Sequence, residues 1–172
     1  APNAPELVGA HAVIWTTTPW TIPVNQGIAY GPEVTYQLCR TEDGRLILIA
    51  APLVEAVSAR IGSALTVEQD VAASALAGVV VRHPMHHLGN FFARPRPFLP
   101  GDFVTTDAGT GLVHMAPDHG EDDFALCKAH GINPVFAVEG DGRYRADWLW
   151  LGGEAKNVIN PNLNAPDGPI CN

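Results

Sequence analysis

Cysteine is scarce in this 172-residue sequence: Cys39, Cys127 and Cys171 are an odd number at wide spacing. That excludes a disulfide framework and a paired-cysteine zinc site, and it makes a reducing cytoplasm the expected compartment. Basic residues are few as well, ten Lys and Arg against eighteen Asp and Glu, for a formal net charge of −8. Affinity for nucleic acid rests largely on phosphate neutralisation, so a chain this acidic is no autonomous binder of a polyanion. If RNA is its substrate, something outside the chain must hold most of that RNA. Long apolar runs are missing: no stretch approaches the roughly 18 consecutive residues that span a bilayer, so no membrane partner is expected. Ala1-Pro2-Asn3-Ala4-Pro5 has neither a basic nor an apolar signal region. The start without Met and the turn-like tail Pro169-Ile170-Cys171-Asn172 are what a piece cut from a longer protein would show. Internal repeats and low-complexity tracts, which would argue for a second domain, are absent too.

What is present is apolar material, 47% of residues, enough for a single domain with a real core. The 15 prolines and 17 glycines are scattered, which reads as many turns between short elements and hence a β-rich fold. The β-branched run Ala12-Val13-Ile14-Trp15-Thr16 predicts a buried strand stopped by Pro19 and Pro23. Residues 27–30 and 34–40 predict further strands, and Asp43-Gly44 a hairpin turn returning through Arg45-Leu46-Ile47-Leu48-Ile49. Pro52 suits a helix start, Leu53, Val54, Val57 and Ile61 form one apolar stripe, and Gly62 suits the stop. Short strands are expected at 65–68 and 79–82 around an Ala-rich helical turn, and loop over 84–100 with its four prolines. Strands at 103–105, 111–114 and 134–138, and a helix over 121–130 with acids in its first turn, complete the reading. The core is expected over about 8–147, with an irregular segment over 148–172.

Two stretches carry more polar order than a fold needs: Trp15-Thr16-Thr17-Thr18-Pro19-Trp20-Thr21-Ile22-Pro23-Val24-Asn25, and residues 109–123, from Gly109 through His114 to Asp123. Three consecutive threonines leaving a strand present hydroxyls and backbone groups able to hold a small substrate or a water; the plain alternative is a Thr-rich strand edge. Gly109-x-Gly111 lacks the third glycine of a dinucleotide loop, His114 standing in its place, so that motif is discarded. Three acids in a first helical turn complement the helix dipole, but Asp123 also stands nine residues after His114, across a strand end and a turn. His83, His86 and His87 have ligand-like spacing, yet no Cys pair or H-E-x-x-H helix accompanies them, and solvated histidines explain them. No G-x-S-x-G elbow is present, so a side-chain nucleophile is not indicated.

The pattern Thr-Thr-Thr-Pro-Trp-Thr-x-Pro-x-Asn resembles the inserted editing domain of isoleucyl-tRNA synthetases. Gly-Thr-Gly-x-Val-His-x-Ala-Pro-x-His-Gly-x-x-Asp resembles the other half of that family's pocket, and Arg82-His83-Pro84 and Gly101-Asp102 fit the region between. Valyl and leucyl relatives have Arg after two threonines where this chain has Thr18. Phe103 departs from the His the family often carries after Gly-Asp. The resemblance implies an α+β, β-rich, β-barrel-like editing domain of the class I valyl, leucyl and isoleucyl synthetases, with peripheral helices. It also implies a post-transfer aminoacyl-tRNA deacylase that frees valine from the 3′ end of misacylated tRNA(Ile), works with the rest of the parent synthetase in cis, and lacks the ATP-dependent synthetic site. By motif position Thr17, Thr18 and Asp123 act in hydrolysis, Thr16, Trp20, Asn25, His114 and Asp123 bind substrate, and no metal or cofactor is expected in this domain. His114 is either a general base or a wall that measures the side chain, and the resemblance favours the wall. A noncatalytic RNA-end binding module and a zinc hydrolase built on the three histidines are the alternatives.

Overall fold

The computed structural model describes residues 3–148. Cys171 and, from 149 on, the expected irregular segment lie outside the described residues. The elements run β1 (His11–Ala12), β2 (Gly27–Tyr30), β3 (Thr35–Thr41), β4 (Leu46–Ala50), α1 (Val54–Ile61), β5 (Leu65–Ala72), β6 (Val80–Val81), α2 (Asn90–Ala93), β7 (Arg96–Pro100), β8 (Leu112–Met115) and α3 (Glu121–Ala129). They form two four-stranded sheets, in the orders β1-β4-β3-β5 and β6-β7-β2-β8. Each sheet is mixed, because β1 runs parallel to β4 and β2 parallel to β7. The β-rich α+β class with peripheral helices is thus as expected, but the sheets do not close into a barrel.

The hairpin forms where Asp43-Gly44 predicts it, with Gly44 at φ 87 in the left-handed region that favours glycine, and the register sets Leu38 against Leu48. Helix α1 buries Val57, as the 3-10 turn before it buries Leu53, and ends on Gly62 at φ 64, whereas Ile61, last of the predicted stripe, stays exposed. Apolar side chains of both sheets, including Leu38, Ile49 and Val71 from one and Ile28, Phe98 and Leu112 from the other, form one cluster. Tyr36 on β3 crosses between the sheets. Its buried hydroxyl accepts the Gly31 N–H at 2.9 Å and donates to the Gly111 carbonyl at 2.8 Å.

Several expectations need correction. Of the strand expected over 12–16, only Ala12 pairs, together with His11. From Thr16 on, side chains take over the backbone's bonds, the Thr18 N–H donating to Thr16 Oγ1 at 3.0 Å. The expected loop over 84–100 contains α2 and β7, and β7 lies between β6 and β2. Its prolines disguise it, but the Phe98 N–H still donates to Val79 O at 3.0 Å. Residues 103–105 form no strand, and 134–138 contributes only the isolated bridge of Val138 to Tyr144.

Candidate active site

The two polar segments meet in a cleft of about 390 Å³. Thr16, Thr17, Thr18 and Thr21 line it from the first segment, and 109–114, His119 and Asp123 from the second. Pro19 opens a 3-10 turn over Pro19–Val24, and its preset φ suits that first position. The threonines before the turn are held locally: Thr16 Oγ1 lies 3.2 Å from Thr18 Oγ1, and Thr17 between them is exposed.

His114 comes from β8, opposite Ile28 of β2, and is 7% exposed. Its Nε2 lies 2.9 Å from Thr21 Oγ1, and its Nδ1 lies 3.4 Å from Asn25 Nδ2. Counting protons fixes the ring. Thr21 has one hydroxyl proton and donates it to Thr18 O at 2.8 Å, so it must accept from His114 Nε2–H. Asn25 Nδ2 donates one proton to Gly27 O at 2.8 Å, and the other points the amide at Nδ1. His114 is therefore a neutral imidazole with both nitrogens engaged. Burial pulls its pKa down to about 4, with a charge on His119 acting the same way.

Asp123 stands in the first turn of α3, half-buried, unlike the exposed Glu121 and Asp122 beside it. Its Oδ1 accepts the Ala116 N–H at 2.7 Å, and burial raises its pKa. Gly120 leaves room for it: a Cβ there would meet Asp123 Oδ2 at 2.5 Å.

Trp20 and Asn25, expected on the cleft wall, do not line it. Trp20 packs with Val24, Ala116, Ala137 and Tyr144, and its carbonyl accepts the Tyr144 hydroxyl at 2.5 Å. Asn25 sits behind His114, in a second cavity of about 830 Å³ that His114 also lines. The Asn25 carbonyl accepts Arg96 Nε–H at 2.6 Å, and Arg96 is itself buried. Thr21 and His119 line the cleft without having been singled out, and so does Phe103, named from the sequence only as a departure from the family pattern. The three-residue spacing of Thr18 and Thr21 across Pro19, one 3-10 turn, is the signal that would have found Thr21.

His83 is not solvated: it is 1% exposed, with Nε2 donating to Ile22 O at 2.8 Å and Nδ1 accepting the Met85 N–H at 3.0 Å. His86 and His87 are exposed. Among the described residues no group of three His, Cys, Asp or Glu is placed to hold a metal ion. Burial brings the His83 pKa down to about 4, as for His114. With folded values near 4 and an unfolded value near 6.5, the unfolded chain binds more protons between those limits, so stability is lost as pH falls through that window. Asp118 and Asp123, both raised by burial, oppose the trend because the folded state protonates them first. Urea unfolding at pH 7 and pH 5 is expected to show a net loss, each histidine contributing about 2 kcal/mol toward it. A midpoint unchanged or raised at pH 5 would contradict these assignments.

No family model matches the chain. It is 59% identical to the isoleucine–tRNA ligase of Zymomonas mobilis over 97% of its own length, and 46% identical to that of Gluconobacter oxydans over 83%. The chain spans 18% and 16% of those proteins, under a fifth of their length. Among solved structures, GlLeuRS-CP1 superposes with a TM-score of 0.61 at 21% identity, covering 70% of this chain and 44% of that one. The Plasmodium falciparum cytosolic leucyl-tRNA synthetase editing domain gives 0.53 at 11% identity, covering 66% and 44%. Over nearly its whole length the chain is thus homologous to a segment of isoleucine–tRNA ligases, and its fold is that of the class I synthetase editing domain.

Proposed function

We propose that the chain is a post-transfer editing deacylase, hydrolysing the valyl ester of tRNA(Ile) and sparing the isoleucyl ester. The observation that carries this reading is His114, a neutral imidazole fixed on both nitrogens at the boundary of the cleft. A group so held is suited to measuring a side chain. One methylene distinguishes the two substrates in a synthetic site by only about 1 to 3 kcal/mol, a range for which isoleucine–valine discrimination by this very family is the standard worked case. A second site that excludes the larger side chain supplies what the first lacks.

In this reading the half-buried Asp123 carboxylate pairs with the substrate α-ammonium through a charge-assisted hydrogen bond. Thr17, Thr18 and neighbouring backbone groups place a water against the ester carbonyl, helped by the adjacent ribose hydroxyl. Orientation supplies most of the rate, and no cofactor or metal takes part. Residues 8–147 form the working core of a single domain in the cytoplasm, the ATP-dependent synthetic site lies elsewhere in the parent synthetase, and that remainder holds the tRNA. The −8 charge agrees with that division. Among the described residues no helix is long and apolar enough to cross a membrane.

The test is hydrolysis of valyl-tRNA(Ile) and isoleucyl-tRNA(Ile) by the chain. The valyl ester is expected to disappear roughly 10- to 200-fold faster. Equal rates, or stability of both esters, would overturn the assignment.

A further inference from the structure

The editing reading gives the hydrolytic water a position but no proton acceptor, since both nitrogens of His114 are engaged. A second imidazole in the cleft is built differently. Ala116-Pro117-Asp118-His119 forms a turn closed by the His119 N–H donating to Ala116 O at 2.9 Å, with Pro117 at the position its fixed φ favours. The turn folds Asp118 inward: its side chain is 2% exposed, its Oδ2 lies 3.2 Å from His119 Nε2, and its Oδ1 makes no hydrogen bond. Burial pushes the Asp118 carboxyl up, and positive charge on His119 opposes that. A buried carboxyl is costly unless something answers it: the backbone N–H groups of Asp118 and Ala137 favour its charged form, and the side chain in contact with it is His119.

The imidazole of His119 is 24% exposed and lines the cleft with Thr16, Thr17, Thr18 and Asp123. It is near enough to the other ionisable groups for a charge on it to disfavour protonation of both His114 and Asp123. With the Asp118 carboxylate 3.2 Å from Nε2, the favoured tautomer of His119 has its proton on Nε2, and the lone pair is then on Nδ1.

Resting on the editing reading, we propose that His119, oriented by Asp118, is the proton acceptor for the hydrolytic water. The water oxygen bonds to the ester carbonyl carbon while one of its protons passes to His119 Nδ1, and the carbonyl electron pair moves onto its oxygen. Collapse of that adduct breaks the bond from carbonyl carbon to ribose oxygen. The leaving ribose oxygen takes the proton back from Nδ1, giving free amino acid, a ribose hydroxyl and neutral His119. Nothing beyond water is consumed. Asp118 is a positioning residue, holding the tautomer that leaves Nδ1 able to accept.

Single-turnover hydrolysis of valyl-tRNA(Ile) by the 172-residue chain tests this. His119→Ala is expected to lower the rate roughly 100-fold or more with KM nearly unchanged, and added imidazole to restore part of it. Asp118→Asn is expected to lower the rate at least about 10-fold and to shift the His119 ring in ¹⁵N NMR away from the Nε2–H form, a signature that loss of packing would not produce. An active wild-type chain with His119→Ala within about 3-fold of it would overturn the proposal and leave the editing reading standing. A slow His119→Ala that imidazole does not rescue, with KM raised instead, would make His119 a binding group and likewise overturn it. A wild-type chain inactive on the valyl ester would remove the editing reading and this proposal with it.

Discussion

Replacing His114 with alanine is expected to make the domain destroy correct product, hydrolysing isoleucyl-tRNA(Ile) readily while retaining substantial activity on valyl-tRNA(Ile). His114 borders both the cleft of about 390 Å³ and the cavity of about 830 Å³ behind it. Cutting the imidazole back removes the partition, and the extra methylene of isoleucine then enters without the overpacking cost of about 1 to 3 kcal/mol. The opposite forecast belongs to a general base, whose loss would slow valyl ester hydrolysis by roughly 100- to 10,000-fold and leave selectivity where it was. The bonding of the ring decides between them. Thr21 accepts from Nε2 and Asn25 faces Nδ1, so taking up a proton would mean breaking a buried contact, and burial opposes the charge. Deacylation time courses on both esters, side by side, are the measurement. A variant slow on both would refute the sieve.

For Asp123 the informative change is to asparagine. Asp123→Asn is expected to reduce valyl ester hydrolysis about 10- to 150-fold, the loss of one hydrogen bond to a charged group at about 1.5 to 3 kcal/mol, with thermal stability nearly unchanged. An exposed first-turn acid is worth only about 0.3 to 1 kcal/mol to its helix, which would also make alanine a clean test. The structure rules that out. Asp123 Oδ1 accepts the N–H of Ala116, which is 1% exposed, so alanine would strand a buried donor at a further cost of about 1 to 3 kcal/mol. Asparagine keeps an oxygen for that N–H while it removes the charge and exchanges the other acceptor oxygen for an N–H donor. Activity surviving in Asp123→Asn would remove the ammonium contact, and a melting temperature falling together with activity would make the residue structural.

The sequence was most legible where local chemistry and tertiary packing agree. Asp43-Gly44 specifies its hairpin, Gly62 its helix stop, and the acids of 121–123 a helix start, because each acts through its own backbone conformation or the helix dipole. Strand β7 was hidden because Pro97 and Pro100 argue locally against a ladder that parallel pairing with β2 nevertheless forms. His83 was misread as solvated because burial is set by the turn around Ile22, 61 residues away in sequence. In the site, Thr16, Thr17, Thr18, His114 and Asp123 come to one cleft from two segments that the sequence marks as unusual. Trp20 follows the 3-10 turn away from it, a change of direction that no pattern of residue types encodes. His119 stood only as a matched position of the second motif, with no role of its own, because the burial of Asp118 that gives it an orientation is a tertiary fact.

The cleft wall at 109–111 and the seam between the two sheets share a single phenol. Tyr36 gives its proton to Gly111 and takes one from Gly31, and burial pushes its pKa up to about 12, so at neutral pH that proton stays in place. Gly111 is at φ 74, with space for no side chain against Ala50, and the Ala50 N–H in turn donates to Thr110 O at 2.9 Å. Swinging this loop outward would strand a buried amide in one sheet and break a strand-end bond in the other, so it cannot breathe as an independent lid. This side of the cleft is thereby tied to the cooperative core of the domain and behaves as a fixed gauge. Whatever yielding a substrate requires falls to the opposite lip, where Thr17 is exposed and the threonines are bonded chiefly to one another.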